Sequence, residues 1–325
     1  MKKIISIVAC LLVLVSCQDK EGKEKAYKPD SSGNINTISV VMERELWNGS
    51  VGDAVRAQLA APVHGLPQDE PLFSISQMPP ESFQGFARQN RTFLYVEKGR
   101  PAAVQTAENP FASPQAGVFV YGETNEEIIQ QIEDKGQQMI NLFKKTELAE
   151  RQKRIRKSLF DDGRLEEKLG VSMDIPSAYR YAKEGDGFFW IRRDLKSGSM
   201  ELVVYEVPLN TFEKDTNTIG TIIKLRDSIG ELYIPGRLDG SYMITETAYA
   251  PYLYDSEVDG KFAYESRGMW EVNNDFMGGP FLHYAVRDEA NDRYLILEGF
   301  MFRPSAAKRD YMFELEAIIQ SADIK

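Results

Sequence analysis

The first seventeen residues limit how the rest of this chain can be stabilised. A pair of lysines precedes an apolar stretch, residues 4–15, which is too short to span a membrane stably and is typical of the central part of a secretory signal. The stretch ends at Ser16 and Cys17, with Leu14 three residues before the cysteine, as in the lipobox of bacterial lipoproteins. The pattern predicts a signal peptide over residues 1–16 and attachment of palmitate-type acyl chains to Cys17.

The cysteine count then determines what can hold the fold together. The chain has 2 cysteines, and Cys10 is removed with the predicted signal peptide while Cys17 carries lipid. No disulfide bond can form, even in an oxidising compartment. The folded part therefore depends on its core, and a chain of 325 residues with 42% hydrophobic residues is long enough to bury one.

The segment that follows is polar and is predicted to be a tether. Residues 17–34 begin with the acylated cysteine and then contain four acids and four lysines, but no Ile, Leu, Val, Met, Phe or Trp. Such a segment buries too little apolar surface to order itself, so we expect it to be flexible. Gln18 follows the cysteine in place of the Asp that retains lipoproteins in the inner membrane. The predicted location is the outer membrane, on either its periplasmic or its surface face.

Strands and helices alternate in the remainder of the chain. Short runs rich in β-branched residues predict strands, and Thr124 with Glu127 forms a capping box that begins the longest helix, ending at about residue 159. Further strands are predicted at 38–42, 92–96, 117–121, 187–193, 200–208, 241–247, 268–272, 281–287 and 293–302, and further helices from Asp53 as N-cap, at 218–232 and at 310–322.

This order predicts an α+β fold with mainly antiparallel sheets and helices packed on one side. Each half ends in paired strands followed by a helix, which suggests two similar halves. We place the boundary near residues 161–163, giving an N-terminal α/β half over 35–160 and a C-terminal α+β half over 161–325.

No stretch of the sequence forms a catalytic motif. The 2 histidines, His64 and His283, have no Gly-x-Ser-x-Gly elbow beside them, and cysteine or zinc chemistry is excluded by residue count. Both histidines are interpreted as structural. Residues 255–260 begin like a calcium loop, but the later ligand positions do not match, so a polar turn is the better interpretation. We predict no catalytic residue, no metal site and no cofactor.

The net charge, the basic stretch and the aromatic residues limit which classes of binding partner are expected. A net charge of −10 makes nucleic acid an unsuitable partner. The basic stretch at 144–157 is interpreted as a solvated helix end, with contact to anionic lipid as the alternative. Tyr249, Tyr252 and Tyr254 lie in a segment containing proline and are expected either to pack or to stack on a sugar.

Two segments dense in tryptophan, glycine and acids are the candidate binding site. The first, residues 46–53, contains Trp47 and Asp53, and the second, residues 267–281, contains Trp270, Glu271 and Asp275. Tryptophans are large and need partners for their indole N–H groups. Residues 278–280, Gly-Gly-Pro, are expected to form a tight turn. The two segments are either two rigid turns beside an aromatic core or the walls of one shared pocket, and the five residues named are the candidate binding residues.

These same segments resemble a known family, the domain of unknown function 4837. The resemblance is carried by the Trp-Asn-Gly at 47–49, the Gln-Met-Pro-Pro at 77–80, the Phe-Ala-Ser-Pro-Gln at 111–115 and residues 270–281. It extends from about Ile35 to the end of the chain. It implies a lipoprotein of the Bacteroidota and supplies no activity, substrate or catalytic residue.

Three hypotheses about function follow from these observations, and the last of them is a purely structural scaffold. The first is a non-enzymatic lipoprotein, anchored in the outer membrane by lipid, that binds an envelope protein or glycan. The second is an envelope hydrolase that uses carboxylates in an aromatic cleft, with Asp53, Glu271 and Asp275 near Trp47 and Trp270. Whether Asp53 and Asp275 face one cavity distinguishes the first two.

Overall fold

The computed structural model describes residues 28–185, 187–212 and 216–325. The predicted signal peptide, Cys17 and the tether up to residue 27 lie outside the described residues. Of the predicted tether, residues 28–34 are described, and they lie on the folded body, because Asp30 forms a bridge with Ser113 and Ser32 with Asn90. The body therefore begins before Ile35. None of the helices in the described ranges is long and apolar enough to cross a membrane.

The described helices and strands follow one another through both halves. The α-helices are α1 Arg44–Asn48, α2 Ser50–Leu59, α3 Asn125–Ile155, α4 Gly163–Leu169, α5 Thr218–Tyr233 and α6 Arg309–Ile319. The strands are β1 Thr37–Val41, β2 Ser74–Met78, β3 Thr92–Lys98, β4 Ala103–Glu108, β5 Ala116–Gly122, β6 Val171–Ser172, β7 Arg180–Gly185, β8 Phe188–Leu195, β9 Gly198–Pro208, β10 Met243–Thr245, β11 Tyr252–Val258, β12 Lys261–Val272, β13 Asp275–Asp288, β14 Arg293–Phe302 and β15 Asp323–Ile324.

The first half is built on a five-stranded mixed sheet. Its strand order is β2-β1-β3-β5-β4, with three parallel pairs and β4 antiparallel to β5. Alternate side chains of β1, including Ile38 and Val40, pack under α2 and α3. Val41 points to the opposite face, where Phe83 and Phe93 form a small aromatic cluster. Both faces of this sheet are therefore covered.

The second half is built on an eight-stranded antiparallel sheet. Seven strands follow the order β10-β12-β13-β14-β9-β8-β7, and β11 pairs with the first part of β12. Along β13, Leu282 and Tyr284 pack in the same cluster as helix α6, whereas Phe281 and Ala285 pack in the cluster of helix α5. The period of two in these strands thus places one helix on each face.

Helix α3 belongs to the first half but contacts both. Its buried face, with Ile128, Ile132 and Phe143, packs on the five-stranded sheet. Its later turns lie against α6 of the second half, where Lys144 pairs with Glu316 at 2.6 Å. The two halves therefore share one long helix of 31 residues at their contact.

The α+β class with mostly antiparallel sheets is confirmed, and five details differ from the sequence prediction. Helices α5 and α6 pack on opposite faces of the eight-stranded sheet and not on one side. The two halves are not alike, since one sheet is mixed and the other antiparallel. Asp53 lies in the first turn of α2, and Gly49 is its N-cap. Residues 278–280 form no turn but continue β13, paired with β12. Residues 255–258 belong to strand β11, and Asp259-Gly260 is the hairpin turn that follows.

Candidate functional site

The face of the eight-stranded sheet that carries α5 is only partly covered. The helix and the loop after it close over one part of this face and leave a cavity of about 400 Å³ beside them. Strands β8, β9, β12, β13 and β14 form its floor, and the loop at 234–237 forms a wall. A cavity of this volume is in the range of small-ligand sites.

Four aromatic side chains line the cavity. Trp270 packs edge-to-face on Phe300, with ring centroids 5.6 Å apart, and Phe302 lies 6.5 Å from the same indole. Trp190 enters from β8, on the opposite side of the cavity floor. Trp270 and Phe300 are buried, whereas Trp190 and Phe302 are half-buried and present ring surface to the opening. Rings in this arrangement can hold an apolar group of a ligand.

Gly279 makes room for the buried indole. A Cβ atom at this position would lie 2.0 Å from the carbonyl oxygen of Met301 and 3.1 Å from Nε1 of Trp270. Because glycine has no side chain, strand β13 approaches β14 closely, and Trp270 Nε1 donates a hydrogen bond to the Met301 carbonyl at 3.2 Å. The glycine thus serves close packing within the sheet.

One buried carboxyl group lies on the cavity floor. Glu201 Oε2 accepts a hydrogen bond from Trp190 Nε1 at 2.8 Å, and Glu201 Oε1 lies 3.6 Å from Arg192 Nη1. Burial raises the pKa of Glu201 to about 7, because loss of hydration outweighs the lowering effects of Ser199, Arg192 and Trp190. The group can therefore exchange a proton near neutral pH.

One ion pair and several exposed apolar side chains lie close in sequence to lining residues of the cavity. Arg237 donates two hydrogen bonds to Asp275, at 2.9 and 3.0 Å. Leu238 follows Arg237 in the loop and is 54% exposed, and Phe276 follows Asp275 and is fully exposed. Leu232, near the end of α5, is also exposed. Exposed large apolar groups beside an aromatic cavity are typical of an interaction surface.

The residues predicted as the site are divided between the two halves. Trp270 lines the cavity, and Asp275 reaches its mouth through Arg237. Glu271 is half-buried in β12 and is not a lining residue. In the first half, Trp47 and Asp53 both contact Arg56, whose guanidinium lies 4.4 Å from the indole and 2.6 Å from the Asp53 carboxylate.

Among the described residues, this cavity is lined only by residues between 190 and 302. Trp47 and Asp53 are therefore not part of it, and the expectation of one pocket shaped by both segments does not describe this cavity. The physical reason is that the two segments lie in the halves built on two different sheets.

Trp190 and Glu201 were not identified from the sequence. The register of the β8–β9 hairpin pairs Trp190 with Val203 and Arg192 with Glu201, which brings the tryptophan beside the acid. The available signal was an acid within the otherwise apolar strand Met200–Tyr205, since charged residues are seldom buried without partners.

The two histidines occupy different surroundings. His283 is fully buried in β13, with Nδ1 2.9 Å from Glu298 Oε2. Burial lowers the pKa of His283, so the neutral imidazole is favoured. His64 is exposed and lies at the contact between the halves. Within the described ranges, no group of three metal-ligating side chains is placed to hold a metal ion.

Comparison with known families divides the chain close to the end of helix α3. Residues 158–321 match the family model described as Domain of unknown function (DUF4837), and residues 31–156 match a second one, Domain of unknown function (DUF8532). The first match is shorter than the resemblance suggested, since the Trp-Asn-Gly at 47–49 lies in the part that the second family covers. No curated protein matches the chain.

Proposed function

Since this chain belongs to the domain of unknown function 4837 family, which carries no assigned activity, we propose its function from its own residues. The protein is a lipoprotein, anchored in the bacterial outer membrane through Cys17, that binds an apolar group of an envelope partner in the aromatic cavity. It catalyses no reaction in this role. The observation that carries the proposal is the cavity lined by Trp190, Trp270, Phe300 and Phe302.

The anchor is supported by the amino-terminal sequence. The apolar stretch 4–15 ends in Ser16-Cys17, and the polar segment that follows gives the folded body some distance from the membrane. Two or more acyl chains hold such a protein on a membrane stably, whereas one does not. A binding protein held in this way meets its partners at the membrane surface.

Binding is supported by the kind of residues that meet at the cavity. Tryptophan, arginine and other large side chains supply most of the energy at protein interfaces, and they act best in pockets from which water is excluded. Trp190 and Phe302 are half-buried lining residues, and Arg192 and Arg237 add polar groups to the lining, although each is also paired with an acid. Phe276 is fully exposed and directly precedes Met277, a lining residue, so it is a suitable position for a probe near the cavity.

The cavity can be tested by cross-linking in intact envelopes. A photoreactive phenylalanine analogue replaces Phe276, the cells are irradiated, and covalent adducts are purified through a carboxy-terminal tag and identified by mass spectrometry. We expect one reproducible adduct that Trp190→Ala reduces at least about tenfold, because that substitution removes ring surface from the cavity. Trp47→Ala serves as the matched control and leaves the adduct unchanged.

Two results would overturn the binding proposal. One is the absence of any reproducible adduct from Phe276, and the other is an adduct that Trp190→Ala and Trp47→Ala reduce equally. The anchor has a separate test, in which Cys17→Ala abolishes labelling by radioactive palmitate and releases the protein from the membrane fraction. Retained labelling would exclude Cys17 as the attachment site.

The pKa of Glu201 favours a second candidate function, an envelope hydrolase. An acid with a pKa of about 7 beside aromatic rings is suited to donate a proton to a leaving group. A glycoside hydrolase needs a second carboxylate about 5–10 Å from the first. The predicted candidate, Asp275, is paired with Arg237, and this pairing makes the hydrolase the second choice. Glu201→Gln separates the two functions, since it abolishes hydrolysis but leaves the cross-linked adduct in place.

A further inference from the structure

A second cavity, of about 540 Å³, lies at the contact between the two halves. The first half contributes α2, α3 and the loop at 61–65 to its walls, and the second half contributes Tyr254 from β11 with Glu265 and Arg267 from β12. It shares Lys144 and Arg267 with a smaller hollow beside α6. We call this cavity the inter-half cleft, and it is separate from the aromatic cavity, with which it shares no lining residue.

An aromatic platform stands at the mouth of the cleft. The imidazole of His64 is stacked on Tyr252, with ring centroids 4.3 Å apart and planes 7° from parallel. His64 Nδ1 also lies 2.5 Å from the hydroxyl oxygen of Tyr254. The histidine and Tyr252 are both exposed, although each makes specific contacts. The stack therefore holds flat ring surfaces in one orientation at the opening.

Gly65 fixes the position of this platform relative to the second half. Its φ is +81°, and a Cβ atom there would lie 3.0 Å from the backbone of Arg267 and Gly268. The loop thus lies directly on strand β12, at a distance that only glycine permits in this conformation. His64, although it comes from the first half, is held against tyrosines of the second.

The opposite wall is made of uncharged amides. Gln137 and Asn141 follow one another on α3, where Gln137 Nε2 donates a hydrogen bond to Asn141 Oδ1 at 2.8 Å. Gln58 faces them from α2. A side-chain amide can donate two hydrogen bonds and accept two, so this wall retains both donors and acceptors for a ligand.

Three charged side chains line the cleft, Lys144, Glu265 and Arg267, and Glu316 of the adjoining hollow compensates the remaining positive charge. Glu316 accepts a bond from Lys144 at 2.6 Å and lies 2.9 Å from Arg267 Nη2, while Glu265 lies 2.5 Å from Arg267 Nε. Despite its burial, the charges of Arg267 and Lys144 hold the pKa of Glu316 at about 2. Two cations and two carboxylates leave no net charge for an ionic ligand to neutralise.

We propose that the inter-half cleft is a binding site for a neutral carbohydrate. Sugar rings have apolar C–H faces that stack on aromatic rings, and their hydroxyls both donate and accept hydrogen bonds. The cleft supplies a ring platform at its mouth, amides on one wall and compensated charge in its depth. An anion or a cation finds no unbalanced partner there, and a wholly apolar ligand would leave the amides unpaired.

The test uses the full chain in detergent micelles and defined trisaccharides. Isothermal titration calorimetry is performed with maltotriose, cellotriose, triacetylchitotriose and xylotriose as neutral probes, and with trigalacturonate and the chitosan trimer as charged ones. We expect at least one neutral trisaccharide to bind, and no charged one to bind more tightly. His64→Ala is expected to weaken that binding by about tenfold, because it removes the stacking surface.

Two further variants separate the site from the fold and from the proposed partner site. Gln137→Ala removes one exposed amide from a helix surface, so it leaves folding intact and weakens binding by about threefold. Trp190→Ala, in the aromatic cavity, leaves the trisaccharide affinity unchanged. The carbohydrate proposal is overturned if no neutral trisaccharide binds, if a charged trisaccharide binds more tightly, or if both cleft variants retain full affinity. None of these outcomes affects the cross-linking result at Phe276.

Discussion

Arg226 and Glu298 form a doubly hydrogen-bonded ion pair in the interior of the second half. Arg226 Nε and Nη2 lie 2.9 and 2.8 Å from the two carboxylate oxygens, and both side chains are almost completely buried. Glu298 also contacts His283, and the guanidinium lies 3.5 Å from the ring centre of Phe281. The charge of Arg226 and the bond from His283 hold the pKa of Glu298 at about 2, despite burial.

Replacing only one partner of this ion pair is expected to lower the free energy of unfolding substantially. Arg226→Met leaves the Glu298 carboxylate buried without its partner, and we expect a loss of about 3–5 kcal/mol in the free energy of unfolding. The double variant, Arg226→Met with Glu298→Met, recovers part of the loss, because no uncompensated charge remains. Urea unfolding followed by circular dichroism measures both. Arg100→Met, in an exposed pair with Glu97, is the control and costs less than about 1 kcal/mol.

Glu201 predicts a specific dependence of stability on pH. Its pKa is raised from 4.5 to about 7, so between these values the folded chain holds a proton that the unfolded chain releases. The stability from this group is fully present below pH 4.5 and is lost as the pH rises through 7, by about 3 kcal/mol in total.

Comparison with Glu201→Gln isolates this contribution, because glutamine stays neutral. The wild type should lose stability relative to the variant between about pH 5 and about pH 8, as measured by urea unfolding. His283 acts in the opposite sense, since its pKa is lowered from 6.5 and its contribution is lost as the pH falls. Both proteins contain His283, so its contribution cancels when the free energy of unfolding of the variant is subtracted from that of the wild type. A constant difference across the range would show that Glu201 is not the group responsible.

Gly279→Ala tests the close approach of β13 to β14. The new Cβ would lie 2.0 Å from the carbonyl oxygen of Met301, so the strands must separate, and Trp270 loses its hydrogen bond. We expect a loss of about 2–4 kcal/mol and a change in tryptophan fluorescence. Gly163→Ala, where the nearest atom is a flexible carboxylate oxygen at 3.2 Å, is the matched control. Equal effects of the two substitutions would contradict the packing argument.

Glu70 of the first half caps helix α6 of the second. Its carboxylate oxygens accept hydrogen bonds from the backbone N–H groups of Lys308 at 2.7 Å and Arg309 at 3.0 Å. Glu70→Ala removes this cap and is expected to cost about 1–2 kcal/mol, measured by thermal unfolding. Glu108→Ala, at an exposed position of β4, should change stability far less. If the two variants unfold alike, the cap contributes nothing across the contact.

The elements predicted from the sequence were those with strong local signals. Strand β14 matches its predicted range of 293–302, and α3 has its predicted N-cap, with Thr124 Oγ1 accepting from the N–H of Glu127 at 3.2 Å. Strands β2 and β4 were missed because they are edge strands with few buried side chains, which weakens the alternation. Strand β11 was missed for the same reason, since most of its residues are exposed.

Local signals could not predict the site, because it depends on register between distant strands. Trp270 was identified by its size, but its neighbours Phe300 and Glu201 come from β14 and β9. Gly-Gly-Pro at 278–280 resembles a turn in isolation, yet pairing with β12 keeps it extended. Trp47 has the same local character as Trp270, and only the division into two sheets separates them.

The contacts of helix α3 also affect whether the two halves of the chain could be exchanged by recombination. The two family matches meet at residue 157, just after the helix ends at Ile155, so a recombination event there would join one half to a foreign second half. The new half would bring its own α6 against Lys144 and Arg151, which here meet Glu316 and Glu314. In a hybrid whose second half lacks acids at the positions of Glu316 and Glu314, Lys144 and Arg151 would have no carboxylates to pair with. The two modules are therefore expected to descend together as a coadapted pair.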